Sequence, residues 1–219
     1  MPLIASTNST PPIKGGTYHA ICYSVIDFGT QTVQYLTESK QVHQVRITWE
    51  IPQERIEIEK DGQKLNLPRV IGMTYTLSTH EKSNLGILLT SWRGKPFTLE
   101  ERNSFDVFTV LGANCLLTVI NKISKATSNP YHCVASASKL MPGMEKKTPE
   151  NPILKYSFND DGLEIPEGVY SWMQDIIKAS VEYQAIEGAS QNNEPASAQD
   201  NYVNDAPPEA PDDSDSIPF

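Results

Sequence analysis

Five β-rich segments, with a helical stretch between the third and the fourth, constrain this chain more than any other feature. Residues 42–51 give the clearest pattern. Val45, Ile47, Trp49 and Ile51 alternate with Gln44, Arg46, Thr48 and Glu50, the period of a strand with one buried face. Pro52 should end that strand, because proline donates no ladder hydrogen bond. Residues 18–28 predict a long, curved first strand ending at Gly29. A polar excursion over residues 54–67 holds an Asp61-Gly62 turn, and residues 70–77 form a third strand in which Gly72 permits a bend or bulge. Residues 84–92 predict a helix. Thr98 followed by Glu101 is an N-cap signature opening a second, short one. Residues 114–122 and 131–138 are the fourth and fifth strands.

This order predicts a mainly β protein with helical insertions. The layout is that of a five-stranded Greek-key barrel, the OB-fold. A β-sandwich with decorating helices has the same strand count and remains the competing architecture. Residues 1–15, polar and rich in proline, read as a flexible arm. Residues 16–185 form the folded domain. Within them, residues 166–183 place Val169, Trp172, Met173, Ile176 and Ile177 close to one helical face. Residues 186–219 read as a disordered acidic tail with almost nothing to bury.

The charge is unevenly placed. From Glu187 onward the chain has 8 acidic residues and no Lys or Arg, and removing those 8 from the 27 Asp and Glu leaves 19 against 18 Lys and Arg. The tail therefore accounts for the net charge of -9, and the nearly neutral body is free to carry a basic groove. Cys22, Cys115 and Cys133 lie apart in apolar runs with no zinc spacing, which implies reduced thiols in a cytoplasmic protein. The N-terminus has no basic region followed by an apolar stretch, so no secretory leader is expected. No segment approaches the ~20 apolar residues of a membrane span, and no membrane partner is expected.

Catalysis has no visible constellation. The four histidines are scattered, and neither a phosphate-binding loop nor a dinucleotide fingerprint is present. We expect a non-enzyme with no cofactor and no metal. Binding of single-stranded nucleic acid asks instead for flat aromatic faces and cations along a phosphate path. The candidates are Arg46, Trp49, Tyr75, Trp92, Arg93, Lys95, Lys122 and Lys139. Residues 91–97 put Trp92, Arg93, Lys95 and Phe97 close together around Gly94, as a binding-face loop would. Trp49 fits either a core position or a stacking platform.

The C-terminal end carries the most specific signal. Asp212, Asp213 and Asp215 precede Ile217, Pro218 and Phe219, an apolar tip on an acidic segment. Such a tip is built to enter another protein's pocket, with its carboxylates steering it to a basic rim. These last eight residues resemble the tail of bacterial and bacteriophage single-stranded DNA-binding proteins. The body is similar only to divergent phage versions. The resemblance implies sequence-tolerant coating of single-stranded DNA during replication or recombination. It also implies that the tip recruits replication or recombination enzymes, whose pocket takes Pro218 and Phe219 while a basic residue meets the terminal carboxylate. A single-strand annealing protein and a tail-mimic interaction protein are the alternatives. A homo-oligomer is compatible with all three.

Overall fold

The computed structural model describes residues 12–35, 38–60, 62–124 and 130–191. It is mainly β: six strands, β1 (Gly16–Tyr35), β2 (Glu38–Lys60), β3 (Gln63–Thr76), β4 (Asn114–Ile123), β5 (Pro130–Ser138) and β6 (Leu154–Tyr156), form one sheet. The first five follow the order β3-β2-β1-β4-β5 through antiparallel ladders. β6 adds in parallel to β1. The sheet curls until β3 and β5 approach each other, and helix α1 (Asn84–Arg93) lies against both. A sandwich needs two facing sheets, and the described strands form one.

β1 and β2 run much further than their sequence patterns suggest, because bulges replace the expected ends. β1 passes Gly29 through a bulge between Asp27 and Gly29, so the strand does not stop there. The left-handed φ of 66° at Gly29 makes the bulge possible, and a Cβ there would lie 2.7 Å from Glu182 Oε2 and 2.8 Å from Phe158. β2 passes Pro52 in the same manner, absorbing the missing N–H in a bulge between Ile51 and Arg55. The supposed polar excursion is thus a β-ribbon, with Ile56 opposite Leu67 and Ile58 opposite Leu65. Gly62 turns the ribbon between Lys60 and Gln63; Asp61 lies outside the described residues.

The main core lies inside the curl. Val45, Ile47, Trp49 and Ile51 of β2 meet Cys115, Leu117 and Val119 of β4, and α1 adds Leu85, Leu88, Leu89 and Trp92. Ile13 is buried there too, and its N–H donates to His132 Nδ1 at 3.3 Å. The end of the expected N-terminal arm is therefore anchored. After α1, the capping box at Thr98 and Glu101 starts α2 (Leu99–Ser104), and a 3-10 turn at Val107–Val110 leads into β4.

A second core forms on the outer face of the sheet. Ile26 and Phe28 of β1 pack with Tyr156, Val169, Met173 and Ile177. The expected single helix over residues 166–183 is instead two, α4 (Ser171–Lys178) and α5 (Val181–Gln191), preceded by the short α3 (Phe158–Asp161). The break falls at Ala179 and Ser180, where the buried Ser180 hydroxyl donates to Ile177 O and accepts from Tyr183 N. α5 also continues past residue 186, through part of the expected tail. Residues 1–11 and 192–219 lie outside the described residues, and with them Asp212, Asp213, Asp215, Ile217, Pro218 and Phe219. Among the described residues no helix is long and apolar enough to cross a membrane.

A charged clasp holds α5 to the sheet. Glu182 accepts from the Thr30 N–H and hydroxyl, each at 2.6 Å, and His43 Nε2 bonds Asp27 at 2.7 Å with its Nδ1 3.7 Å from Glu182. The Asp27 hydrogen bond raises the His43 pKa, against the opposing effect of burial. Burial opposes the Glu182 charge, but the two Thr30 bonds and His43 leave its pKa below the ordinary carboxylate value. A raised histidine pKa stabilises the fold fully below the unfolded value of about 6.5 and loses that contribution as pH rises through the folded value. Thermal melts should therefore show stability falling across the interval just above pH 6.5. His43→Gln should flatten that fall, and an unchanged profile would remove His43 as its source.

The long loop after β5 is also pinned. The Asn114 amide donates to Lys147 O at 2.9 Å and its carbonyl accepts from Lys147 N at 2.8 Å. Glu50, fully buried on β2, accepts from Glu150 N, Asn151 N and Asn151 Nδ2 at 2.8–2.9 Å.

Candidate nucleic-acid interface

Alternation on β2 sends Arg46 and Thr48 to the face opposite the main core, and there α4 meets them. Trp172, in the first turn of α4, lies under the Arg46 guanidinium, which sits 4.8 Å from its ring centroid. An edge contact with Phe28, 6.3 Å between centroids, fixes the indole from the sheet side. Trp172 remains 44% exposed and Tyr170, two residues earlier, 54% exposed, so both rings face solvent next to a cation.

Between them and the strands is a socket of about 340 Å³, lined by Arg46, Thr48, Val70, Ile71, Gly72, His132, Tyr170, Trp172 and Met173. Arg46 Nη1 donates to Thr74 Oγ1 at 3.2 Å. Arg46 Nε and Thr48 Oγ1, both buried, have no hydrogen-bond partner among the described residues. Buried polar atoms are normally paired, so two orphans beside one socket call for a ligand's oxygens or for water. Gly72, paired with Thr48 across the ladder, is why the guanidinium lies flat. A Cβ at this position would lie 2.7 Å from Arg46 Nη2 and 2.8 Å from Thr48 Oγ1.

Burial lowers the Arg46 pKa, while nearby Tyr23 and Tyr75 partly offset it. Burial likewise pushes both phenols upward, so they stay neutral beside the cation. His132 has a pKa lowered by burial and by Arg69, and with Nδ1 accepting from Ile13 its ring proton is on Nε2. The socket thus combines one fixed cation, a neutral imidazole and two partly exposed aromatic rings. Such a set can hold an anion and a flat ring together.

The other residues suggested by the sequence divide into three groups. Trp49, Tyr75 and Trp92 belong to the main core at 0%, 5% and 6% exposure, and in that position none presents a face to a base. Trp92 packs on Trp49 at 5.7 Å and donates its N–H to Asn114 O at 3.0 Å. Burying these large rings fills the curl of the sheet, which explains the correction. Residues 91–97 are not an open loop: Trp92 and Arg93 end α1, and Gly94 is its left-handed C-cap. Arg93 forms a bidentate pair with Glu101 at 3.1 and 2.7 Å and lies 4.3 Å from the Phe97 centroid. That hydrogen-bonded pair holds the Glu101 carboxyl down at about 2. Arg93 and Lys139 line a different cavity, described below, and Lys95 lies next to it in sequence.

Lys122 stands apart on the β4–β5 hairpin, directly opposite Tyr131, which is 45% exposed. The next residue along β5 is His132, but strand alternation turns its side chain to the other face, so this cation and ring do not line the socket. Sequence reasoning missed Tyr170 and gave Trp172 only as part of an apolar helical face. The available signal was Trp172's place at the edge of an unusually wide apolar stripe. No protein-family model, curated protein or solved structure matches this chain.

Proposed function

We propose that this protein binds single-stranded DNA without sequence preference, coating it during replication or recombination, on an OB-like barrel. The observation that carries the reading is the solvent-facing Tyr170–Trp172 pair beside Arg46. Successive bases stack on such rings at ~1–3 kcal/mol each, and every base offers a π-face, so affinity does not depend on sequence. The strand order supports it, since β1 lies between β2 and β4 while β3 and β5 approach. In OB-folds the β2–β3 face and the β4–β5 loop bind oligonucleotides, and here these are the places of Arg46 with Gly72 and of Lys122 with Tyr131. In this reading the tip at Ile217, Pro218 and Phe219 recruits partner enzymes. Titrating oligo(dT) while following tryptophan fluorescence, at several salt concentrations, tests the proposal. Saturable quenching with affinity falling as salt rises is expected. Absence of quenching, or affinity indifferent to salt, overturns it.

A further inference from the structure

A second cavity, of about 900 Å³, shares no residue with the socket. One wall is the helical connection, with Leu89, Trp92, Phe97, Phe105 and Val110. The other is the loop after β5, with Met141 and Met144, 62% and 37% exposed. Lys139 and Lys146 line it, and Lys95 and Lys147 flank it in sequence; no ion pair among the described residues engages these four. Glu101 is held by Arg93, and Asp106 caps the 3-10 turn by accepting from Phe108 N. The cavity is therefore an apolar, methionine-lined pocket with a lysine rim. It falls within the ~300–1,000 Å³ of sites that bury a compact ligand. Methionine adapts its shape to what it receives.

We propose that this cavity receives the chain's own C-terminal tip, with Ile217, Pro218 and Phe219 inside it and Asp212, Asp213 and Asp215 on the lysine rim. Charge and polarity match along the whole segment: three carboxylates and a terminal one face the lysines, and the apolar residues face methionine and phenylalanine. The chain length matches as well. Glu182 at the start of α5 bonds Thr30, and the cavity reaches Asn114, which pairs with Ile21 on the same strand. Nine strand residues separate the two points by at most about 30 Å, and the nine residues of α5 after Glu182 add at most about 14 Å. Residues 192–216 connect α5 to the tip, and a chain of that length reaches at most roughly 80–90 Å. A connection long enough to span the gap makes docking intramolecular, which favours occupancy of a weak site. Because the two cavities have no residue in common, the tip and single-stranded DNA are held at once rather than in competition.

The probe is a fluorescein-labelled Asp212–Phe219 peptide followed by anisotropy. The full-length Ile217→Ala/Phe219→Ala chain, with its own tip disabled, should bind the peptide saturably. The wild-type chain should bind it at least roughly 10-fold more weakly, since its tethered tip competes. Met141→Asp/Met144→Asp, at two exposed positions, should abolish binding. Saturating oligo(dT) should leave the bound peptide in place. No binding to the tip-disabled chain, binding indifferent to the methionine changes, or displacement by oligo(dT) each overturns the proposal. If the methionine variant misfolds, a photoreactive benzoylphenylalanine at position 219 decides. Crosslinks within residues 139–146 support the docking, and crosslinks at Arg46 or Trp172 refute it. Apart from the oligo(dT) arm the peptide assay needs no DNA, so docking is tested separately from the nucleic-acid reading.

Discussion

Trp172→Ala weakens oligo(dT) binding by about 10- to 100-fold, the loss that one stacked base implies. Trp172→Phe keeps most of the affinity, because a phenyl ring still stacks, but it removes the fluorescence quenching. The chain has three tryptophans, and Trp49 and Trp92 are enclosed in the core at 0% and 6% exposure. A base on the outer face therefore touches only Trp172 among them. The measurement is anisotropy of a labelled oligo(dT), which does not depend on the protein's own emission, paired with intrinsic fluorescence. Trp49→Phe serves as the contrast: the Trp49 N–H has no partner among the described residues, and quenching persists in that variant. Because Trp172 is 44% exposed and rests on Phe28 by an edge contact, its truncation shifts the melt by only a few degrees. Quenching that survives in Trp172→Phe would move the bases elsewhere.

Glu50→Ala causes the largest loss of stability. The carboxylate is fully buried and accepts three N–H bonds from Glu150 and Asn151, so truncation leaves three donors facing a void. At ~1 kcal/mol or somewhat more for each of three donors in this part-buried setting, the low end for a donor left without a partner, a loss on the order of 3–5 kcal/mol follows. That corresponds to a melting temperature lower by about 6–20 °C for a chain of this size. Glu50→Gln keeps the volume but turns a donor toward donors, and it falls close to the alanine variant. Asn151→Ala removes one of the three bonds and costs about 1 kcal/mol. Thermal melts rank the three. Limited proteolysis adds a local readout, because a released loop is cut faster between Lys139 and Lys147. A melt for Glu50→Ala within two or three degrees of wild type would show that the loop is held by other contacts.

The sheet was legible where local patterning decides structure. Val45, Ile47, Trp49 and Ile51 alternate, and they do line the core. The Thr98–Glu101 cap was legible for the same reason, since both partners are three residues apart. Bulges were not. Pro52 and Gly29 mark strand ends by local rules, and here the cross-strand ladder carries the chain through both. The interface escaped because it joins Arg46 to Trp172, far apart in the chain, and helical periodicity gives Trp172 the same apolar stripe as Met173 and Ile177. The cluster at residues 91–97 misled for a geometric reason. Adjacent residues on a helix point in different directions, so Trp92 enters the core while Arg93 turns to Glu101.

β2 joins two stretches of opposite tolerance to change. Between Val45 and Ile51 its inward side chains fill the core while Arg46, Thr48 and Glu50 serve the other face. One inserted residue there would exchange the two sets along the rest of the strand. Beyond the bulge at Pro52 the ribbon's ladder pairs β2 and β3 only with each other. Paired insertions or deletions between Ile56 and Leu67 would thus change how far the ribbon reaches without disturbing the curled sheet. In homologous chains, length variation should accumulate in that ribbon, and β2 before Pro52 should keep a constant length.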